Sequence, residues 1–271
     1  MSGWKYYNHA AIPTCAPHEE VDITPIKDGS IWKMNGNPLL ARWTSDFDCG
    51  YETNWWYVIK DTPIVLEELT SHSRKHIRQG LKNCDVRKID SRIYAEELYE
   101  CSYAAFKKYK NAFNESSREQ FIRSAEINTA SVYWGGFEKE TGKLIGYLIV
   151  KENQGFAEIV TAKFDPQYLN THISDVLYYT TINEYLLNKG MKYVSSGQRN
   201  INHVTNTQEY KEQTLGYRKA YCKLNIKYRF PLNFVVKLLY PFRHWLEKFD
   251  NKKAVHLATA ILKMEEIVRE R

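Results

Sequence analysis

Residues 143–166 read KLIGYLIVKENQGFAEIVTAKFDP. The run at 144–150 carries no charge. It is an unbroken apolar stretch of the length that a strand buried on both faces requires. Asn153-Gln154-Gly155 is a turn, and 156–163 is a second strand, closed by Asp165-Pro166. Upstream, VYWGGF at 132–137 reads as a strand that ends in a hairpin turn at 138–142. Downstream comes the clearest helix of the chain. Thr171 or Ser174 can cap it, and Asp175 sits in the first turn, where the helix dipole favours a carboxylate. Ile173, Val176, Leu177, Ile182, Tyr185 and Leu186 supply its buried face, and Gly190 stops it. A short strand follows at 192–196. A last strand at 220–228 alternates, with Ala220, Cys222, Leu224, Ile226 and Tyr228 on one face and Lys223, Asn225 and Lys227 on the other.

The flanks have a different texture. Residues 1–60 are rich in turn formers (Asp28-Gly29-Ser30, Asn35-Gly36-Asn37-Pro38, Asp48-Cys49-Gly50) between short apolar pieces, as in short strands and hairpins. From Leu66 the period is helical. Leu69, Ile77 and Leu81 can share a face with His76 at its edge, while Arg74, Arg78 and Lys82 fall at i, i+4 and i+8 on another. Gly80 weakens this helix, and Asn83 lies near its end. A second helix spans about 94–110 with Leu98, Cys101, Ala105 and Tyr109 on one stripe, and a third about 118–125. Beyond Leu232 two helices are expected, broken at Tyr240-Pro241 and Asp250-Asn251. The segment FVVKLLYPFRHWLEKF mixes aromatic, aliphatic and basic residues, so it either lies on a membrane surface or packs on the domain. The final AVHLATAILKMEEIVRER is amphipathic and can contact a partner.

Composition bounds the function. The 271 residues are 43% hydrophobic and 14% aromatic, enough for a real core. A net charge of +6 suits an anionic ligand or an anionic membrane surface without requiring nucleic acid. Five cysteines, an odd number with no CxxC pair, point to reduced thiols in the cytoplasm rather than to disulfides or a metal site. The first twenty residues hold no apolar signal core, and no stretch reaches the roughly 18 apolar residues of a spanning helix.

The order strand, hairpin, buried strand, buried strand, helix, strand, short helix, strand resembles the GNAT (acyl-CoA N-acyltransferase) superfamily. The resemblance rests on KLIGYLIVKENQGFAEIVTAKFDP, SDVLYYTTINEYLLNKGMKYVSSG and YKEQTLGYRKAY. It implies an α/β fold with a mixed, mostly antiparallel central sheet flanked by helices. The expected division is N-terminal strands and a helical layer at 1–125, the acyltransferase core at 126–232 and C-terminal helices at 233–271. The superfamily's Gln/Arg-x-x-Gly-x-Gly/Ala loop, whose amides hold the coenzyme A pyrophosphate, is absent: the junction here is FDPQYLNTHISD. That departure resembles the FemAB-like branch, which uses aminoacyl-tRNA as donor. LTSHSRKHIRQGLKNCDVRKI is similar to its arginine-x-x-isoleucine-arginine-x-glycine-x-lysine segment. EYKEQTLGY is similar to its Phe-Lys motif, with Tyr210 in place of Phe and Lys211 on the lysine implicated in stabilising charge during transfer.

The implied activity is transfer of an acyl group from an acyl-CoA co-substrate to an amine of a small molecule, sugar or lipid precursor, with no metal. The alternatives are aminoacyl-tRNA-dependent transfer to cell-envelope precursors and a non-catalytic ligand-binding relative. Transfer needs donors for an oxyanion, a base and a group that protonates or neutralises the leaving group. In this fold two central strands part and expose backbone amides, and the pair at 144–150 and 156–163 is expected to do so. Gly146 would open that slot or be a packing glycine. Glu158 is the base candidate or a solvated acid, and Tyr210 is a general-acid candidate or core. Arg74 and Arg78 face a phosphorylated substrate or form a solvated face paired with Glu67 or Glu68. His172 and Ser174, at a helix start, and Arg199 and Asn200, after a strand end, are the remaining anion-binding candidates. Lipid-linked acceptors would place the protein at the inner face of a membrane through its C-terminal helices.

Overall fold

The computed structural model describes residues 3–107, 117–201, 207–249 and 253–270. In chain order the strands and helices are β1 (Trp4–Tyr7), β2 (Ala10–Pro13), α1 (Thr24–Lys27), β3 (Leu40–Ser45), β4 (Trp55–Lys60), α2 (Ser71–Asn83), β5 (Cys84–Ile89), α3 (Ala95–Phe106), α4 (Arg118–Ile127), β6 (Val132–Glu138), β7 (Leu144–Asn153), β8 (Phe156–Phe164), α5 (Ile173–Asn183), β9 (Tyr193–Gln198), α6 (Thr207–Leu215), β10 (Arg218–Tyr228), α7 (Leu232–Leu239), α8 (Arg243–Glu247) and α9 (Lys253–Arg269). The chain divides into two compact units. One comprises 1–57, 198–205 and 219–271; the other comprises 58–197 and 206–218.

In the first unit β2 lies between β1, antiparallel, and β3, parallel, and β10 pairs antiparallel with β3 from Lys223↔Ser45 to Tyr228↔Leu40. Its N-terminal core gathers Trp4, Ala11, Ile31 and Ala41. Ala220, Cys222 and Leu224 of β10 are buried in alternation, as the sequence pattern requires. In α9, Ile261, Leu262, Met264 and Ile267 are buried. The chain turns through a 3-10 segment at Tyr240–Phe242, where a break is expected. The second expected break, at Asp250-Asn251, lies outside the described residues.

In the second unit the sheet runs β9-β8-β7-β6-β5. All pairs are antiparallel except β8 with β9. β7 is buried on both faces, as KLIGYLIV demands. Leu144 and Tyr147 join Leu98 and Cys101 of α3, while Ile145 joins Ile173 and Val176 of α5. Both units are thus α/β with mixed, mostly antiparallel sheets flanked by helices, the expected class.

Several local expectations need correction. The hairpin β7–β8 does not part: its register runs from Gly146↔Phe164 to Asn153↔Phe156, with one irregularity at Ile149/Val150. A tight turn ties the two strands together at one end, and the antiparallel ladder holds them along their length. The parallel pair behaves otherwise. β8 and β9 are in register only over Phe156↔Tyr193, Ala157↔Val194 and Glu158↔Ser195; beyond that point they are no longer paired with each other, while β8 stays on β7 as far as Phe164. Neither Thr171 nor Ser174 caps α5. Its N-cap is His172, in the left-handed conformation (φ 61°), with no side-chain cap bond. In α2 the buried face is Ser73, Ile77 and Gly80. Leu69 precedes this helix and Leu81 is exposed. The strand β5 was hidden by its charges, which lie over aromatic rings: Arg87 over Phe137 at 3.8 Å and Lys88 over Trp134 at 5.1 Å. The expected end of the second helix, at residue 110, lies outside the described residues.

Candidate functional site

The second unit collects its reactive groups where β8 and β9 separate. Ser195 is the last β9 residue in register with β8, and Ser196 is the next. Lys211 lies on α6, which ends at Leu215; Gly216 follows in the left-handed conformation (φ 67°) that lets the chain turn sharply into β10. The Lys211 Nζ donates a hydrogen bond to Ser196 Oγ of β9. The lysine is 6% exposed. Burial pushes its pKa down to about 8. Its Nζ lies 5.1 Å from the centre of the Tyr178 ring. No carboxylate pairs with it among the described residues. The Tyr217 hydroxyl is buried without a hydrogen-bond partner among the described residues. A buried ammonium with one hydroxyl acceptor is a strong electrostatic donor for any negative charge that develops beside it.

Tyr210 precedes Lys211 and points elsewhere. Its hydroxyl donates to Asp175 Oδ1 at 2.6 Å. Burial, then the Asp175 charge, raises its pKa. Asp175 sits in the first turn of α5, as expected, and is only 4% exposed. Its Oδ2 lies 3.6 Å from His172 Nδ1 and 4.0 Å from His76 Nδ1. His76 and His172 stack with centroids 4.1 Å apart, and His72 lies 3.9 Å from His76. Burial, reinforced by His172, lowers the His76 pKa. Ser174 adds a side-chain hydrogen bond to Tyr210.

Of the remaining candidates, Glu158 stands at the same strand separation and the others lie apart from it. Glu158 is the last β8 residue in register with β9 and is half-buried. Gly146 lies under α5: a Cβ there would stand 3.1 Å from Ile173 Cγ1 and 2.9 Å from Phe164 Cδ1. Its partner Gly136 faces Ile173 even more closely, so the two glycines form a bare patch that seats the helix. Arg74, Arg78 and Lys82 share a shallow surface groove with Lys75 and Gln79. Arg74 donates to Leu69 O at 3.2 Å, and Arg78 meets Glu67 at 4.0 Å, both of that pair exposed. Arg199 and Asn200 belong to the first unit. There the Arg199 guanidinium lies over the Trp56 ring at 4.8 Å and donates to Asn54 O, and Asn200 is exposed.

Sequence reading missed Lys60 altogether. It ends β4, is buried, donates to Thr62 Oγ1, and burial lowers its pKa. A lysine closing an otherwise apolar strand, YVIK, was the available signal. For the histidine group the signal was the spacing His72-x-x-x-His76 and His172-x-x-Asp175, each of which puts its two members on one helix face.

The start of α5 presents the buried Asp175 carboxylate with His172 in the left-handed position. A carboxylate beside the first-turn amides opposes a dianion rather than attracting it.

No family model matches the chain, and no curated protein matches it by sequence. Solved structures do match. FemX superposes with a TM-score of 0.54 at 9% identity, over 80% of this chain and 81% of its own. L-PGS from Bacillus licheniformis superposes with a TM-score of 0.53 at 12% identity, over 98% of this chain and 85% of its own. A GCN5-related N-acetyltransferase from Sphaerobacter thermophilus is a more distant match, with a TM-score of 0.44 at 12% identity over 83% and 75%. At these identities the likeness concerns the fold. The chain has the GNAT-type fold, in a form shared with FemX and L-PGS.

Proposed function

We propose that the protein is a transferase that moves an aminoacyl group from an ester donor of the aminoacyl-tRNA type to an amino group on a lipid- or sugar-linked acceptor. One observation carries this reading: a buried lysine stands at the point where two parallel strands separate, bonded to Ser196. The acceptor nitrogen attacks the ester carbonyl and forms the amide bond. The bond from that carbon to the donor oxygen breaks, and the proton lost by the amine ends on the leaving oxygen. The amides of β8 beyond Glu158 and the Lys211 ammonium stabilise the charge that gathers on the oxygens in between. An ester donor is favoured over acyl-CoA because the first turn of α5 carries Asp175 where a pyrophosphate would sit.

The first unit supports an anionic lipid surface as the place of action. Phe230, Phe234, Leu238, Phe242 and Trp245 are all more than half exposed. Lys237 and Lys248 stand between and beside them, also exposed. Aromatic and basic residues on one short helical stretch fit the boundary of an anionic bilayer, here the inner face of a membrane. No helix among the described residues is long and apolar enough to cross one.

The test is incubation of the purified chain with labelled aminoacyl-tRNAs or acyl-CoAs and a panel of amine acceptors. Transfer from aminoacyl-tRNA that falls at least a hundredfold in Lys211→Met supports the reading. Transfer from acyl-CoA alone replaces the donor assignment. No transfer from either donor, with ligand binding retained, leaves the non-catalytic reading standing.

A further inference from the structure

We propose that His76, His172 and Asp175 form a binding site for one divalent transition-metal ion of the zinc class, clamping α2 to α5. This inference does not rest on the proposed transferase activity. Two helices contribute: α2 supplies His76, and the start of α5 supplies His172 and Asp175 at i and i+3, a spacing that presents both on one face. Their approach is made by Gly80, one turn beyond His76. A Cβ at Gly80 would stand 2.8 Å from both His172 O and Val176 Cβ, so only a bare backbone lets the helices come this close.

The distances leave room for an ion between the three side chains. Both imidazoles turn Nδ1 toward the same carboxylate oxygen, yet at 3.6 and 4.0 Å neither is hydrogen-bonded to it. The three donor atoms lie within 4.8 Å of one another. Ligands at about 2.0–2.2 Å around a tetrahedral ion stand about 3.3 Å apart, so closure draws these atoms together by up to about 1.5 Å and turns one of the two stacked rings so that both nitrogen lone pairs meet the ion. The donor set, two imidazoles and one carboxylate, is that of zinc-class sites and leaves a fourth position for water. The carboxylate is already oriented. Asp175 is buried, and Tyr210 holds its other oxygen at 2.6 Å, the outer bond that metal-ligating carboxylates use. His172 takes a left-handed backbone (φ 61°) to bring its ring there, a conformation uncommon for residues other than glycine.

The experiment uses untagged full-length protein, stripped with chelator and titrated with Zn²⁺ by calorimetry and with Co²⁺ by visible absorption. The expected result is one equivalent bound with a micromolar or tighter constant. His76→Ala and His172→Asn each weaken it at least tenfold, and Tyr210→Phe weakens it by a smaller factor. Asparagine tolerates the left-handed backbone and His76 is partly exposed, so circular dichroism can verify that both variants fold. His244→Ala, on the other unit, leaves the affinity unchanged. Binding weaker than about 100 μM, or an affinity indifferent to both His76→Ala and His172→Asn, overturns the site and leaves Asp175 a buried carboxylate facing two histidines.

Discussion

Lys211→Met should make the protein more stable at neutral pH while it removes the function proposed for that residue. Burial moves the lysine pKa from 10.5 to about 8. At about 1.4 kcal/mol for each tenfold change, holding the charged form inside the fold costs about 3 kcal/mol. Methionine fills similar space with no charge, and the lost bond to Ser196 returns about 1 kcal/mol of that gain. The net expectation at pH 7 is about 2 kcal/mol of added stability, or roughly 4–8 °C in the thermal midpoint of a chain this size. The sign follows from where the protons sit. The folded lysine binds its proton more weakly than the unfolded one, so between about pH 8 and 10.5 the unfolded chain holds more protons and wild-type stability rises with pH. The advantage of the variant is therefore whole below pH 8 and gone by about pH 10.5, where the lost hydrogen bond leaves it slightly the weaker protein. Urea unfolding of both proteins at intervals from pH 7 to 10.5 measures this difference directly. A variant no more stable than wild type at pH 7, or a difference that stays constant with pH, refutes the reasoning. Transfer that depends on the ammonium should also decline in the wild type as pH rises through about 8.

Other consequences are simpler to state. Gly80→Ala gains about 1 kcal/mol of helix propensity. It forces a Cβ to 2.8 Å from a backbone oxygen of His172, so a net loss of about 1–2 kcal/mol is expected; any stabilisation in chemical denaturation contradicts the packing argument. Leu238→Ser and Phe234→Ser, both at exposed positions, should reduce sedimentation with anionic vesicles severalfold without moving the thermal midpoint, and unchanged sedimentation removes the membrane surface proposed for α7. Burial raises the pKa of Cys101 and of Cys222 to about 12 and also raises that of Cys84 and of Cys15, but Cys15 and Cys49 are partly exposed and the other three are buried. Two thiols should react quickly with a disulfide reagent in the folded protein and three only on unfolding; fast reaction of a third contradicts the burial pattern.

What the sequence determined by itself is everything set by the period of a single element. KLIGYLIV has no polar side to turn outward, so it becomes a strand covered on both faces, by α3 and by α5. Residues 220–224 alternate, and their small and apolar members are buried. The helix after Asp165-Pro166 and its stop at Gly190 were legible for the same reason, and so was the GNAT-type order of elements.

What only the tertiary structure decided is which of these elements meet and how far. The place where strands part was assigned to the wrong pair, because period does not distinguish a ladder tied by a short turn from a parallel pair joined through a helix; only the latter is free to diverge. The same limit explains the site. Lys211 and Ser196 lie on different elements, as do His76, His172 and Asp175, and each reads alone as an ordinary surface or capping residue. Packing takes Lys211 and Asp175 out of water and leaves Ser196, His76 and His172 only partly exposed. A buried charge then has to be neutralised, paired or used, and that requirement, absent from any local pattern, marks these residues.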